Sequence, residues 1–72
     1  MPRKKRDIRN AYRAAGFAER HGKGDHTIFS HPLVDEHATV DGRDGEDAFQ
    51  YDERILRRLL KKKQEAERRQ QP

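Results

Sequence analysis

Gly22-Lys23-Gly24-Asp25-His26-Thr27-Ile28-Phe29-Ser30-His31-Pro32 is the stretch from which the architecture of this chain can be read. Two glycines framing a lysine mark a tight turn, and Thr27, Ile28 and Phe29 are residues that suit a pleated, half-buried surface. The run predicts a strand over residues 26–31, ended by Pro32, which has no N–H to contribute to a sheet ladder. Residues 17–21 predict the preceding strand of a hairpin. Residues 33–36 read as a connection, and His37-Ala38-Thr39-Val40 as a third short strand before the turn-rich Asp41-Gly42-Arg43-Asp44-Gly45. Three antiparallel strands result. The buried face stays open at this stage, because Ile28 and Phe29 point opposite ways and each has a claim on the core.

Outward from the strands, Ile8, Ala11, Tyr12 and Ala15 recur at helical spacing and Gly16 offers a left-handed stop, predicting a helix over residues 5–15. Ile55, Leu56, Leu59 and Leu60 share one face of a second helix. Asp52 and Glu53 lie near its positive end and Lys61, Lys62 and Lys63 towards its negative end. The leucine face can be buried only against the sheet or the first helix, so the fold class is α+β, in the order α-β-β-β-α, with a three-stranded antiparallel sheet packed on two helices. Residues 1–63 form the single domain and residues 64–72 a basic polar tail, either a solvated helical extension or disordered. Tyr12, Phe17 and Phe29 are assigned to the core; Phe49 and Tyr51 are not placed.

Composition narrows the functional classes. The chain has 72 residues, 42% of them charged and 31% hydrophobic, so one small domain must use nearly every large apolar side chain it has. There is no cysteine, which removes disulfides and thiolate zinc sites. The basic N-terminus is not followed by an apolar segment, and no run approaches the length of a membrane span, so a soluble, cytoplasmic protein without a signal peptide is expected. The net charge of +4 hides a pattern: residues 1–9 carry +4, residues 35–53 carry −7 and residues 54–72 carry +6. Two basic ends flank an acidic middle. Such ends can solvate a lean domain or collect a polyanion, of which RNA or DNA is the commonest in cytosol.

The glycine-framed turn is the place where chemistry is concentrated. It delivers His26 to the first position of a strand, and histidine titrates near neutral pH. Lys23 and the backbone amides of residues 22–25 are suited to a phosphate, and the glycines allow close approach. Cleaving RNA without a metal requires a base for the 2′-hydroxyl, cations for the crowded phosphate and a proton for the leaving 5′-oxygen. DNA lacks the 2′-hydroxyl, so RNA is the expected substrate of such a site. The competing reading is a plain hairpin turn with an exposed histidine at a strand end. His21, His26, His31 and His37 are spread over three strands, which disfavours a zinc cluster, and His31 before Pro32 reads as structural. In the acidic loop over residues 41–47, Arg43 occupies a place where a calcium loop needs oxygen.

These residues also carry a family resemblance, extending from about Arg6 to Leu60. The Ala15-Gly16-Phe17 helix end, the Gly-Lys-Gly-Asp-His turn, the Ile28-Phe29 and His31-Pro32 pairs, Thr39-Val40, and Gly45-Glu46-Asp47-Ala48 before a Tyr51-led helix resemble the HicA toxins of bacteria and archaea. These are small mRNA interferases of toxin-antitoxin systems, folded like a double-stranded-RNA-binding domain. The resemblance implies an endoribonuclease that cleaves mRNA, with His26 as the catalytic histidine; the chemistry of the turn adds Lys23, Gly22 and Gly24 at the substrate and the basic N-terminus adds Arg6, with no metal or other cofactor expected. The resemblance further implies a HicB-like antitoxin that covers the site. The alternative is a non-catalytic RNA-binding module of the same fold. A third class is an interaction protein whose leucine helix and acidic loop serve only a partner. Two positions depart from the family pattern: Asp25 stands where Ser or Thr is frequent, and no histidine follows His37.

RNA affinity held by the basic ends should fall steeply as salt rises from low to physiological concentration, because each phosphate contact releases condensed counterions. A filter-binding or anisotropy titration across salt concentrations measures this; salt-independent affinity would contradict it.

Overall fold

The computed structural model describes residues 3–70. Its elements are α1 (Lys5–Ala14), β1 (Ala18–His21), β2 (Thr27–His31), β3 (Val34–Val40) and α2 (Gln50–Gln70). The strands form one antiparallel sheet in the order β1-β2-β3, packed against both helices. This is the α-β-β-β-α arrangement expected of the sequence. Among the described residues no helix is long and apolar enough to cross a membrane.

Both helices start by the same device. The Lys4 main-chain N–H donates to the Asp7 carboxylate at 2.9 Å, and the Phe49 N–H donates to Asp52 Oδ2 at 2.8 Å. An acidic side chain in the first turn thus satisfies the donor just before the helix and sets negative charge at the positive end of the macrodipole. α1 ends in a Schellman motif: with Gly16 at φ 86°, the Gly16 N–H donates to the Arg13 carbonyl at 3.0 Å and the Phe17 N–H to the Tyr12 carbonyl at 3.1 Å. The Phe17 and Tyr12 rings then meet edge-on at 5.2 Å, and Tyr12 stacks on Phe29 of β2 at 4.8 Å. The helix stop and the core are therefore built from the same rings.

The sheet buries the face that carries Thr27, Phe29, Val34, Ala38 and Val40, against Ile8 and Tyr12 of α1 and Leu56 and Leu59 of α2. Phe29 is wholly buried and Ile28 only half-buried on the opposite face, which settles the choice left open by the sequence. Side chains alternate along a strand, so this one choice assigns every other position of the sheet. β3 is longer than expected. Val34 pairs directly with His31 across the two-residue turn Pro32-Leu33, so residues 34–36 are strand and not connection. The Leu33 N–H donates to His31 Nδ1 at 3.1 Å, and the His31 ring lies 5.2 Å from Phe17. These contacts give His31 a structural role.

α2 continues unbroken past Lys63 to Gln70, so the basic tail is a helical extension over the residues described; Gln71 and Pro72 lie outside them. Lys62 reaches back to Asp35 at 3.3 Å and Glu36 at 3.0 Å, and Lys63 pairs with Glu67 one turn on at 3.7 Å. Of these, the Lys63–Glu67 pair lies along the extension itself.

Two cations of α1 are buried. The Lys5 side chain is 1% exposed, with Nζ 2.8 Å from Asp52 Oδ2 and 3.4 Å from Asp41 Oδ1. Burial pulls the lysine's pKa down, but its hydrogen bond to Asp52 and the charges of Asp52 and Asp41 outweigh that, and the net shift is upward. Lys5 is thus removed from the N-terminal cations expected to meet phosphate. Lys5→Met and Asp52→Leu should each destabilise the fold by about 3–5 kcal/mol, since each strands a buried charge. The double variant should recover part of that loss. Denaturant unfolding of the cycle checks this, and strictly additive losses would show that the two side chains do not couple.

Candidate active site

The turn between β1 and β2 is closed by the Lys23 carbonyl, which accepts the His26 N–H at 3.1 Å. Gly24 occupies the first central position at φ 60°, the pattern of a type II′ turn, whose twist matches that of paired strands. Outside it, the Gly22 N–H donates to the His26 carbonyl at 2.9 Å. A Cβ on Gly22 would lie 3.2 Å from the Cβ of His26, tighter than an ordinary contact, so a larger residue here would displace that histidine by a few tenths of an ångström. Of the four amides expected to face a phosphate, that of Gly22 is therefore engaged. Those of Lys23, Gly24 and Asp25 have no backbone partner among the described residues.

His26 is exposed and stands one residue before β2, which begins at Thr27 and not at His26 as expected, and its Nδ1 lies 2.9 Å from the same Lys23 carbonyl. A carbonyl oxygen can only accept, so Nδ1 carries the proton and the neutral ring keeps its lone pair on Nε2. Nε2 has no hydrogen-bond partner among the described residues. His31 adopts the opposite tautomer, since its Nδ1 accepts from Leu33. One histidine is thus bound into the fold by its lone pair, and the other is left with its lone pair free.

Arg9 fixes the surroundings of His26. Its guanidinium is buried and donates to Thr27 Oγ1 at 3.1 Å, Asp44 Oδ1 at 2.8 Å and the carbonyls of Asp25 at 3.0 Å, Val40 at 3.3 Å and Gly42 at 2.6 Å. Asp25 and Thr27 are the two neighbours of His26, so α1 holds the turn on both sides of the histidine. The sequence reading missed this residue. The available signal was spacing: Lys5, Ile8, Arg9 and Tyr12 form one helical stripe, and a cation within an apolar stripe is buried or paired.

Asp41 lies at the same end of the sheet. Thr27 pairs with Val40 at the end of the sheet, and His26 and Asp41 are the residues that directly flank this pair, just outside β2 and β3. Burial raises the Asp41 carboxyl, but the hydrogen bond and charge of Lys5, with a smaller contribution from His26, hold it below the ordinary carboxylate range. Asp41 therefore stays ionised at neutral pH.

The turn brings together Gly22, Lys23, Gly24 and His26. It does not include Arg6, which sits on the exposed side of α1, one helical turn from Arg9, and reaches the loop by its main-chain N–H to the Asp44 carbonyl at 3.2 Å. The acidic loop turns its carboxylates to Lys5, Arg9 and Lys4, and its carbonyls cap the first turn of α1. Among the described residues no group of three or more His, Asp or Glu side chains is placed to hold a metal ion. Comparison with protein-family models, curated proteins and solved structures finds no match to this chain.

At a pH where both rings are neutral, long-range ¹H–¹⁵N NMR should show the Nδ1–H tautomer for His26 and the Nε2–H tautomer for His31. Gly22→Ala should shift the His26 resonances and leave those of His31 in place. The same tautomer at both histidines would refute the assignment.

Proposed function

We propose that this protein is an endoribonuclease that cleaves mRNA without a metal, with His26 as its acid-base group, as the resemblance to HicA toxins implies. The observation that carries the reading is the free Nε2 of an exposed imidazole whose other nitrogen is tied to Lys23, beside three unpaired amides and the lysine's own side chain. With the scissile phosphate at the turn, Nε2 takes the proton of the 2′-hydroxyl, the 2′-oxygen attacks phosphorus, and the bond to the 5′-oxygen breaks. The Lys23 ammonium and the amides of Lys23, Gly24 and Asp25 stabilise the charge that develops on the phosphoryl oxygens. The imidazolium formed in the first half of the reaction is the proton source for the leaving oxygen.

Phosphate contacts fall to the cations that have no ion pair among the described residues, including Arg6, Lys23, Arg54 and Arg57. Arg3 and Lys4 are engaged with Glu53 and Asp47. The protein partner expected of such a toxin would cover His26. A second reading, an RNA-binding module without catalysis, draws on Asp25, whose carboxylate adjoins the phosphate position and repels it, and on the lack of a second histidine beside His26.

His26→Ala should lower RNA cleavage and growth inhibition by about 10²- to 10⁴-fold, the usual contribution of a general acid-base group. Circular dichroism and RNA affinity should change little, because His26 is exposed. His31→Ala should act the other way, lowering stability more than cleavage. If folded His26→Ala cleaves RNA at the parent rate, the assignment fails; if neither protein cleaves RNA but both bind it, the non-catalytic reading stands.

A further inference from the structure

Phe49 and Tyr51 are the exposed large hydrophobic residues of the described chain, 55% and 45% accessible, and neither belongs to the core. Their ring centroids lie 5.4 Å apart with only 16° between planes, so the two rings share one orientation. The surface they form is already ordered. The buried Lys5 ammonium lies 4.4 Å from the Phe49 centroid and 5.8 Å from that of Tyr51, and the Tyr51 hydroxyl donates to Asp41 Oδ1 at 3.5 Å.

Asp41 links this surface to the site at His26, since the two residues directly flank Thr27 and Val40, the pair at that end of β2 and β3. We infer that Phe49 and Tyr51 form a base-stacking platform that seats an unpaired nucleobase of single-stranded RNA next to the phosphate held at the Gly22–His26 turn. The inference rests on the RNA-cleaving reading of His26 and adds to it a preference for unpaired substrate.

Three features favour a nucleobase as the occupant. Two rings are too small a patch for a stable protein interface, which takes about 800 Å² from each partner, yet they match one or two bases. The flanking cations suit a polyanion: Arg54, one turn along α2 from Tyr51, and Lys23, beside His26, have no ion pair among the described residues, while Asp44 and Asp47 are paired with Arg9 and Lys4, and Asp41 shares Lys5 with Asp52. A ring pair held in place before binding loses little rotamer freedom when a base stacks on it.

The test uses the full chain carrying His26→Ala, so that binding is read without cleavage. The probes are a short single-stranded oligoribonucleotide, the same oligomer annealed to its complement, and an abasic oligomer of equal length. Phe49→Ala and Tyr51→Ala should each weaken binding of the single strand by about 5- to 100-fold, in line with the worth of one aromatic stack. Tyr51→Phe should retain it, and duplex and abasic affinities should not change. Unchanged single-strand affinity in both alanine variants overturns the platform and leaves the RNA reading intact, as does equal parent affinity for the abasic oligomer. Failure of the His26→Ala chain, and of the parent, to bind any of the three probes overturns both. If the alanine variants keep RNA affinity but lose a co-expressed antitoxin-like protein, the surface is a protein contact and the inference is wrong.

Discussion

The buried ion pair between Lys5 and Asp52 is the constraint on which the rest of this small domain depends. Asp52 Oδ2 accepts two hydrogen bonds at 2.8 Å, from the Lys5 ammonium and from the Phe49 N–H that precedes α2. The two helices are therefore joined at the first turn of each, through one carboxylate oxygen. A buried charge without its partner costs several kcal/mol, so the pair tolerates little relative movement of the helices. Ile8, one turn from Lys5, and Leu56 and Leu59, one and two turns from Asp52, are carried into the core by that register. The same ammonium underlies Phe49 and reaches Asp41, so the packing of the helices and the surroundings of His26 share a residue.

Arg9 extends the constraint to the sheet. Its donors reach both neighbours of His26, the end of β3 and the acidic loop, and so tie together three segments distant in sequence. A guanidinium suits the task because it has five donors in a fixed plane and stays charged at any accessible pH. The domain has few apolar side chains, and two cations directed inward from α1 link its helices, sheet and acidic loop by hydrogen bonds. A site on a turn needs such support, since a hairpin loop alone is mobile.

The charge pattern acquires its meaning from these contacts. Cations of the basic ends meet acids of the middle: Arg3 with Glu53, Lys4 with Asp47, Lys5 with Asp41 and Asp52, Arg58 with Glu36, and Lys62 with Asp35 and Glu36. The Arg58 and Lys62 bonds hold the Glu36 carboxyl below its ordinary range. Exposed pairs of this kind contribute little each. Their collective effect is to leave the polyanion-binding role to a smaller set of cations, around the turn and along α2, than composition alone suggests.

The sequence by itself determined the order of elements, the leucine face of α2, the stop at Gly16 and the delivery of His26 by a glycine turn, because each depends on local spacing or on the conformational freedom of one residue. The stop and the turn are visible as Gly16 at φ 86° and Gly24 at φ 60°. Tertiary structure alone decided that Phe29 and not Ile28 enters the core, since period-two alternation marks two faces without saying which one a helix covers. It alone extended β3 back to Val34, where pairing with His31 outweighs the weak strand signal of Asp35 and Glu36. It alone buried Lys5 and Arg9, whose partners lie 16 to 47 positions away and have no local signature. The tautomer of His26 belongs to the same class: the glycines announce a turn, but only its closed geometry puts the Lys23 carbonyl at Nδ1 and leaves Nε2 free.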